Sequence, residues 1–356
     1  MPFGSTQHIG NSLMCLVSPK FTRKNAPLRS WNFVNKEFFG VRGKNTVNPV
    51  GFTSILTKPQ RKILVSKSDS GLDALAIKKE TTMGIFSGCL LAADADETLV
   101  TNGVVPQRNN EKIKFFVENG GVFSLATGRV PCAARCVAEQ LDTLSVSIFG
   151  NGCIAYDLDT REALFEYLLD TEDVEAAKKA KELFSGVGIQ CFYREDTYVF
   201  NRTDRTDEHT TYEKIVWKPL SEDELHSLKF NKMLYHCENF EHAEELKAAL
   251  LPVTKNSDFI NSSFVINGVR RHMLEQVPRG VSKAAGVLKL AKLLNIKKGC
   301  IYAIGDYFND LDMLKAADIS AATSGAPDEI KAVADITVCS VEDGSVEDFI
   351  YYLTNH

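Results

Sequence analysis

From Gly84 onward, short apolar runs alternate with longer amphipathic stretches, and this alternation constrains the fold more than any other feature. Buried strands separated by helices with one apolar stripe are the pattern of βα units around a parallel sheet, whose two faces need crossover helices to cover them. The runs at 89–93, 122–125, 145–149, 300–304, 319–322 and 336–338 read as buried strands. Helical periodicity is clear at 107–118, 131–140, 283–294, 309–316 and 328–334. All lie in two blocks, 85–154 and 275–356. The segment between them reads differently: a hairpin-like pair at 154–156 and 163–168, helices at 174–184 and 240–250, strands near 190–200 and 231–236, and strands joined by Asn267-Gly268. Alternating strands with an Asn-Gly turn predict an open, largely antiparallel α+β unit inserted into the first domain.

Residues 1–80 belong to a different population. Of 41 Lys+Arg and 46 Asp+Glu they hold 13 and 4, leaving 28 against 42 for the rest, and no acidic residue precedes Glu37. They show no sustained periodicity, so the reading is a disordered basic extension: either an organellar transit peptide or sequence upstream of a true start at Met83. The first alternative implies a plastid or mitochondrion, the second a cytoplasmic protein. No apolar run approaches the ~20 residues of a membrane span, and the stretch at 13–17 is too short for a secretory signal. Nine scattered cysteines without a Cys-x-x-Cys fit free thiols better than a disulfide framework, and Cys132 and Cys136, four apart on a helix, fit core packing better than a metal site.

The chemistry gathers where the strands of the two blocks end. The run Leu90-Leu91-Ala92-Ala93 stops abruptly on Asp94 and Asp96, with Thr98 following. Buried carboxylates cost several kcal/mol each unless cations or donors meet them, so folding alone rarely selects such a strand end. The second strand ends in Ala126-Thr127-Gly128-Arg129, a hydroxyl and a backbone amide at a strand-to-helix turn, as a phosphate cradle requires. Lys283 opens a helix, and the strand at 300–304 runs into Gly305-Asp306-Tyr307-Phe308-Asn309-Asp310. Singly, the Thr-Gly-Arg turn reads as a helix start, Lys283 as a solvated helix residue and the Gly-Asp loop as a capped turn. Together they bring three to five acids, one Lys and one Thr to the carboxyl edge of a parallel sheet, where ligands bind.

Those four stretches, Asp94-Ala95-Asp96-Glu97-Thr98, Thr127-Gly128-Arg129, Lys283 and Gly305-Asp306-Tyr307-Phe308-Asn309-Asp310, resemble the four motifs of the haloacid-dehalogenase-like phosphohydrolases. The insertion, Phe149-Gly150-Asn151-Gly152 before it and the stretch from Leu274-Glu275 to Lys283 after it are similar to the Cof-type subgroup and its large cap. Glu97 departs from the glycine usual in that subgroup, in a slot without chemistry. The resemblance implies an α/β fold, a Rossmann-like parallel-sheet core at 81–154 and 275–356 with an α+β cap at 155–274. It implies that Asp94 attacks phosphorus, that Asp96 is general acid and then base, and that Asp94, Asp306 and the backbone carbonyl of Asp96 hold Mg²⁺. Thr127, Gly128, Lys283 and Asn309 would hold the phosphate, with Asn309 and Asp310 orienting metal waters and Lys283, and Thr98 in support. The expected activity is hydrolysis of a small phosphorylated metabolite, such as a sugar phosphate, nucleotide or cofactor phosphate, with no nucleic-acid or membrane partner. A phosphotransferase of the phosphomannomutase type and a non-catalytic binding or regulatory module are the competing readings. Substrate selectivity falls to cap side chains; Tyr193, Arg194 and Tyr198 are weighed for it, with an exposed sheet face the stronger reading.

Overall fold

The computed structural model describes residues 84–356 apart from position 267, together with the backbone of two upstream strands, β1 (Thr53–Thr57) and β2 (Arg61–Val65), which pair antiparallel. The remainder of the basic extension, its expected disorder and the alternative start at Met83 lie outside the described residues.

The central sheet is fully parallel and contains β3 (Leu90–Ala93), β4 (Val122–Leu125), β14 (Ile301–Gly305), β15 (Ile319–Thr323) and β16 (Ile336–Val338), in the order β16-β15-β14-β3-β4. Helices α1 (Gln107–Glu118), α2 (Pro131–Ala138), α6 (Lys283–Leu293), α7 (Leu311–Ala316), α8 (Asp328–Lys331) and α9 (Ser345–Asn355) accompany it. Strand β3 is central, and all four of its residues are inaccessible to solvent. Leu91 and Ala93 enter one apolar cluster, Leu90 and Ala92 the cluster on the opposite face. A strand buried on both faces has to read as an unbroken apolar run, which is why residues 90–93 carry no polar alternation. The chain winds from β3 to β4 in one direction and from β14 to β16 in the other, so the order reverses at β3, the position at which a doubly wound sheet opens a crevice for ligands.

Three further strands, β5 (Ser147–Phe149), β6 (Ile154–Asp157) and β7 (Glu162–Glu166), form a small antiparallel sheet. A parallel bridge between Ala126 and Ile148 joins it to the end of β4. Ile154 and Tyr156 pack in one core cluster, Ala155, Leu164 and Phe165 in the other. The hairpin at 154–166 therefore packs with the central sheet rather than with the cap that the sequence places at 155–274; alternation marks a strand but not the layer that its apolar face meets.

The cap carries a six-stranded sheet of β8 (Gly188–Tyr193), β9 (Asp196–Asn201), β10 (Trp217–Pro219), β11 (Lys232–Cys237), β12 (Ser257–Ile266) and β13 (Val269–Pro278), in the order β10-β9-β8-β11-β13-β12. It is antiparallel except at β10–β9. Helices α3 (Glu175–Leu183), α4 (Asp204–Tyr212) and α5 (Phe240–Leu250) accompany it, and its own core cluster runs from Leu169 to Leu274. The pairing of β13 continues past the expected boundary at 275 to Pro278. Gly268, in the turn between β12 and β13, has φ 77, as the Asn-Gly pair predicts, while Asn267 lies outside the described residues. Helix α4 has no counterpart in the sequence reading because Asp204–Tyr212 carries no apolar stripe. A reciprocal cap starts it instead, Thr203 N donating to Thr206 Oγ1 (2.9 Å) and Thr206 N to Thr203 Oγ1 (3.4 Å), and its buried face consists of Thr206, His209 and Thr210.

All eight cysteines among the described residues are free, and Cys132 and Cys136 pack against apolar clusters. Among these residues no helix is long and apolar enough to cross a membrane.

Candidate active site

The amide of Asp94 makes the last rung of β3, donating to Ile304 O at 3.0 Å, after which the chain turns sharply. Leu99 N and Val100 N both donate to Ala95 O (2.9 and 2.8 Å), and Glu97 takes a left-handed conformation with φ 55. The turn leaves Asp94, Asp96 and Glu97 on one wall of a cleft of about 450 Å³ between core and cap. Glu97 thus occupies a backbone position that favours glycine, which gives a conformational reason for the glycine usual in that slot.

Lys283 is the first residue of α6, a position where the helix dipole disfavours a cation, and it is fully buried. Two carboxylates compensate: its Nζ donates to Asp94 Oδ1 at 2.6 Å and to Asp310 Oδ1 at 2.7 Å. The helix start is held by Ser282, whose Oγ accepts from Ala285 N, and it presses on the Gly150–Gly152 turn. A Cβ on Gly152, which has φ 107, would lie 2.1 Å from Ser282 O, so only glycine admits this approach.

The loop after β14 is built around Asp310, whose Oδ2 accepts from Asp306 N (3.0 Å) and Tyr307 N (3.1 Å). Gly305 makes room for it, since a Cβ there would lie 2.5 Å from Asp310 Cγ. Thr98 Oγ1 donates to Asp306 Oδ1 at 2.7 Å. Thr127 Oγ1 accepts from Arg129 N (3.1 Å), fixing the turn after β4. Asn309, expected beside the phosphate and Lys283, also lines the cleft; its Nδ2 donates to Asn151 Oδ1 at 3.2 Å.

Burial pushes the Asp94 carboxyl up to about 7 even with Lys283 beside it, and Asp310 and Asp96 add to the rise. Asp306 is likewise pushed well above the usual carboxylate range by burial, Asp94 and Asp310. Burial works against the Lys283 ammonium, but Asp310 and Asp94 outweigh it and hold the lysine charged. Oxygens of Asp94, Asp306 and Asp310 all lie within 4.8 Å of one another. Full ionisation of the three acids would set two net negative charges against burial, which the raised carboxyls of Asp94 and Asp306 relieve by keeping protons; an oxygen-only donor set suits a hard divalent cation that would take the place of those protons. Asp310 has already committed both oxygens to Lys283 and to the two backbone amides, so Asp94 and Asp306 are the better ligands.

Several participants escape the motif reading. Arg129 grips Asp96 with two bonds, Nε to Oδ2 at 2.8 Å and Nη2 to Oδ1 at 2.7 Å. Lys232 of β11 reaches from the cap to Gly128 O (2.8 Å) and to Glu275 Oε2 (2.6 Å), and Glu275 also accepts from Asn151 Nδ2 (2.8 Å). A chain of polar contacts therefore runs from Asn309 through Asn151, Glu275 and Lys232 to the turn after β4. The available signal was Lys232 at the start of an otherwise uncharged strand, and Glu275 in the apolar half of β13, four residues beyond the Arg270-Arg271 pair. The cap wall of the cleft is formed by His209, Tyr212, Glu213, Ser262, Ser263, Phe264 and Arg270, not by Tyr193, Arg194 or Tyr198. Arg194 instead pairs with Glu166 at 2.5 Å, and Tyr198 packs edge-on against Phe230.

A family model for haloacid dehalogenase-like hydrolases matches residues 91–350. A 5-amino-6-(5-phospho-D-ribitylamino)uracil phosphatase of Bacillus subtilis is 25% identical over 284 residues, covering 73% of this chain and 96% of its own. A second Bacillus subtilis protein of the same name is 26% identical over 258 residues, covering 72% and 92%. In fold, the chain is similar to a HAD subclass IIB sugar phosphatase at a TM-score of 0.64, covering 75% of this chain and 99% of that one with 19% sequence identity.

Proposed function

We propose that this chain, which belongs to the haloacid dehalogenase-like hydrolase family and is a phosphatase, hydrolyses a small phosphorylated metabolite through an aspartyl-phosphate on Asp94. The observation that carries this reading is the buried Lys283 ammonium clamped between Asp94 and Asp310 at the switch point of the sheet. A structural ion pair has no need of two further acids, Asp96 and Asp306, around it; a site that receives a phosphate and a cation does.

In the first half-reaction a carboxylate oxygen of Asp94 attacks phosphorus while the bond to the leaving oxygen breaks, and Asp96 gives that oxygen its proton. In the second, Asp96 takes a proton from water as the water oxygen attacks phosphorus, which returns the Asp94 carboxylate and free phosphate. Lys283 binds and orients the phosphate as a fixed point charge, and the Thr127-Gly128 turn with Asn309 lines the same pocket. Asp310 fixes Lys283 and the loop amides, and Thr98 fixes Asp306. Mg²⁺, held by Asp94, Asp306 and the backbone carbonyl of Asp96, would supply positive charge for the phosphoryl oxygens. The cleft volume suits a compact ester. The names of two relatives by sequence and one structural neighbour, phosphatases of a ribityl-uracil phosphate and of a sugar, support an ester of a hydroxyl-bearing chain as the substrate class.

The test is phosphate release from a panel of sugar, polyol, nucleoside and cofactor phosphates, with Mg²⁺, with Ca²⁺ and in chelator. Turnover is expected with Mg²⁺, little with Ca²⁺, whose larger coordination shell misplaces the attacking carboxylate, and none in chelator. Full activity in chelator would refute the metal assignment.

A further inference from the structure

Helix α4 ends in a tight reversal. Lys214 takes the left-handed conformation with φ 55, while Ile215 N donates to Thr210 O (2.8 Å) and Lys214 N to Thr211 O (3.3 Å), closing the last turn. The residue at this end, Glu213, lines the cleft on the cap side, with its side chain only 11% exposed. Glu213 Oε2 lies 3.2 Å from His209 Nε2 and Oε1 lies 3.7 Å from Arg129 Nη1. The same guanidinium, 6% exposed, holds both oxygens of Asp96 through Nε and Nη2 and donates from Nη1 to Ala133 O at 3.3 Å. One rigid planar fork thus touches a cap carboxylate on one side and the acid-base residue of the core on the other. The guanidinium is a rigid planar fork, so its contacts with Asp96 and with Glu213 share one geometry. Although burial works against it, the neighbouring His209 and the Arg129 guanidinium hold the Glu213 carboxyl down to about 2, so the cap side of this contact stays ionised.

We propose that Glu213 is a positioning residue: acting through Arg129, it ties the orientation of Asp96 to the seating of the cap. The inference rests on the phosphatase reading above and adds a cap-borne control of the acid-base residue. Covering the cleft would then do more than exclude water, because the Asp96 carboxylate reaches its working orientation only when α4 is in place.

An aryl ester separates this role from a structural one. With p-nitrophenyl phosphate the phosphorus–oxygen bond to the phenolate breaks as the bond to Asp94 forms, and the weakly basic phenolate leaves without a proton from Asp96. Only the second half, in which water attacks phosphorus and the bond to Asp94 breaks, needs Asp96 to accept a proton. Glu213→Gln should therefore slow breakdown of the aspartyl-phosphate and not its formation: kcat and KM fall together by about tenfold or more, while kcat/KM stays within about threefold. Glu213→Asp, which keeps the charge, should recover much of kcat, and should show a smaller version of the same split if the Gln variant does not fold. A fall of kcat/KM in step with kcat, or no change in either, overturns the inference. Wild-type release of phosphate, measured first, checks the underlying reading separately: a wild type silent toward aryl and alkyl esters alike overturns both.

Discussion

Replacing Lys283 with Met, of similar length but uncharged, tests the balance of charge on which the site depends. In the wild type the Lys283 ammonium has no exposed surface and lies 2.6 Å from Asp94 and 2.7 Å from Asp310, whose side chains are 10% and 0% exposed. Its removal leaves the carboxylates without their buried counter-charge. Breaking a buried pair by deleting one partner costs about 3–5 kcal/mol. Asp310 retains its two backbone donors, so the loss should lie toward the lower end. For a domain of this size each kcal/mol lowers Tm by roughly 2–4 °C, which places the expected fall near 10 °C for the metal-free protein at about pH 8. Mg²⁺ should recover a larger share in the variant than in the wild type, because the site it neutralises carries one more negative charge. In turnover, kcat should fall and KM rise together, since a cation beside a phosphate dianion stabilises ground and transition states alike. Calorimetry with and without Mg²⁺, followed by steady-state kinetics, measures all three. A metal-free Tm within about 2 °C of the wild type, or an unchanged KM, would refute the assignment of Lys283 as the buried counter-ion and phosphate ligand.

The remaining predictions concern the nucleophile, the pH dependence and the strained turn. Asp94→Asn should abolish turnover and yet raise the Tm of the metal-free protein at about pH 8, because the wild type then bears a carboxylate that burial disfavours; residual kcat above about one per cent, or a lower Tm, contradicts this. A carboxyl raised from its ordinary value of 3.8 to about 7 binds its proton more tightly in the folded state, so metal-free stability should decline as pH rises through that window. Glu213, held down to about 2, acts oppositely and loses its contribution as pH falls below about 4.5. The metal-free optimum should therefore lie at mildly acid pH and move upward when Mg²⁺ is added, as thermal unfolding across pH would show; an optimum that ignores Mg²⁺ sinks the argument. Glu97→Gly should stabilise the protein by about 0.5–1 kcal/mol by relieving the left-handed strain at φ 55, with kcat within about twofold of the wild type, and a fall in Tm would reject it.

What the sequence determined by itself is local in origin. Strand β3 is legible because burial on both faces demands an unbroken apolar run, and its abrupt end on Asp94 and Asp96 is legible because buried charge is expensive. Lys283 and the Asp306–Asp310 loop, which singly read as a solvated helix residue and a capped turn, were legible only in company, as parts of a set of motifs at the ends of recognisable elements. Partnership across the chain was decided only by the tertiary structure. Nothing near Arg129 in sequence announces that it grips Asp96, and nothing in the polar stretch 204–212 announces a helix whose end delivers Glu213 to the same guanidinium. Lys232 and Glu275 meet each other, and Glu275 meets Asn151, only because β11 and β13 are neighbours and the cap folds back over the turn after β4. Periodicity and capping act over a few residues and leave their mark on composition, whereas an ion pair between residues dozens of positions apart depends on how the layers pack, which no single segment encodes.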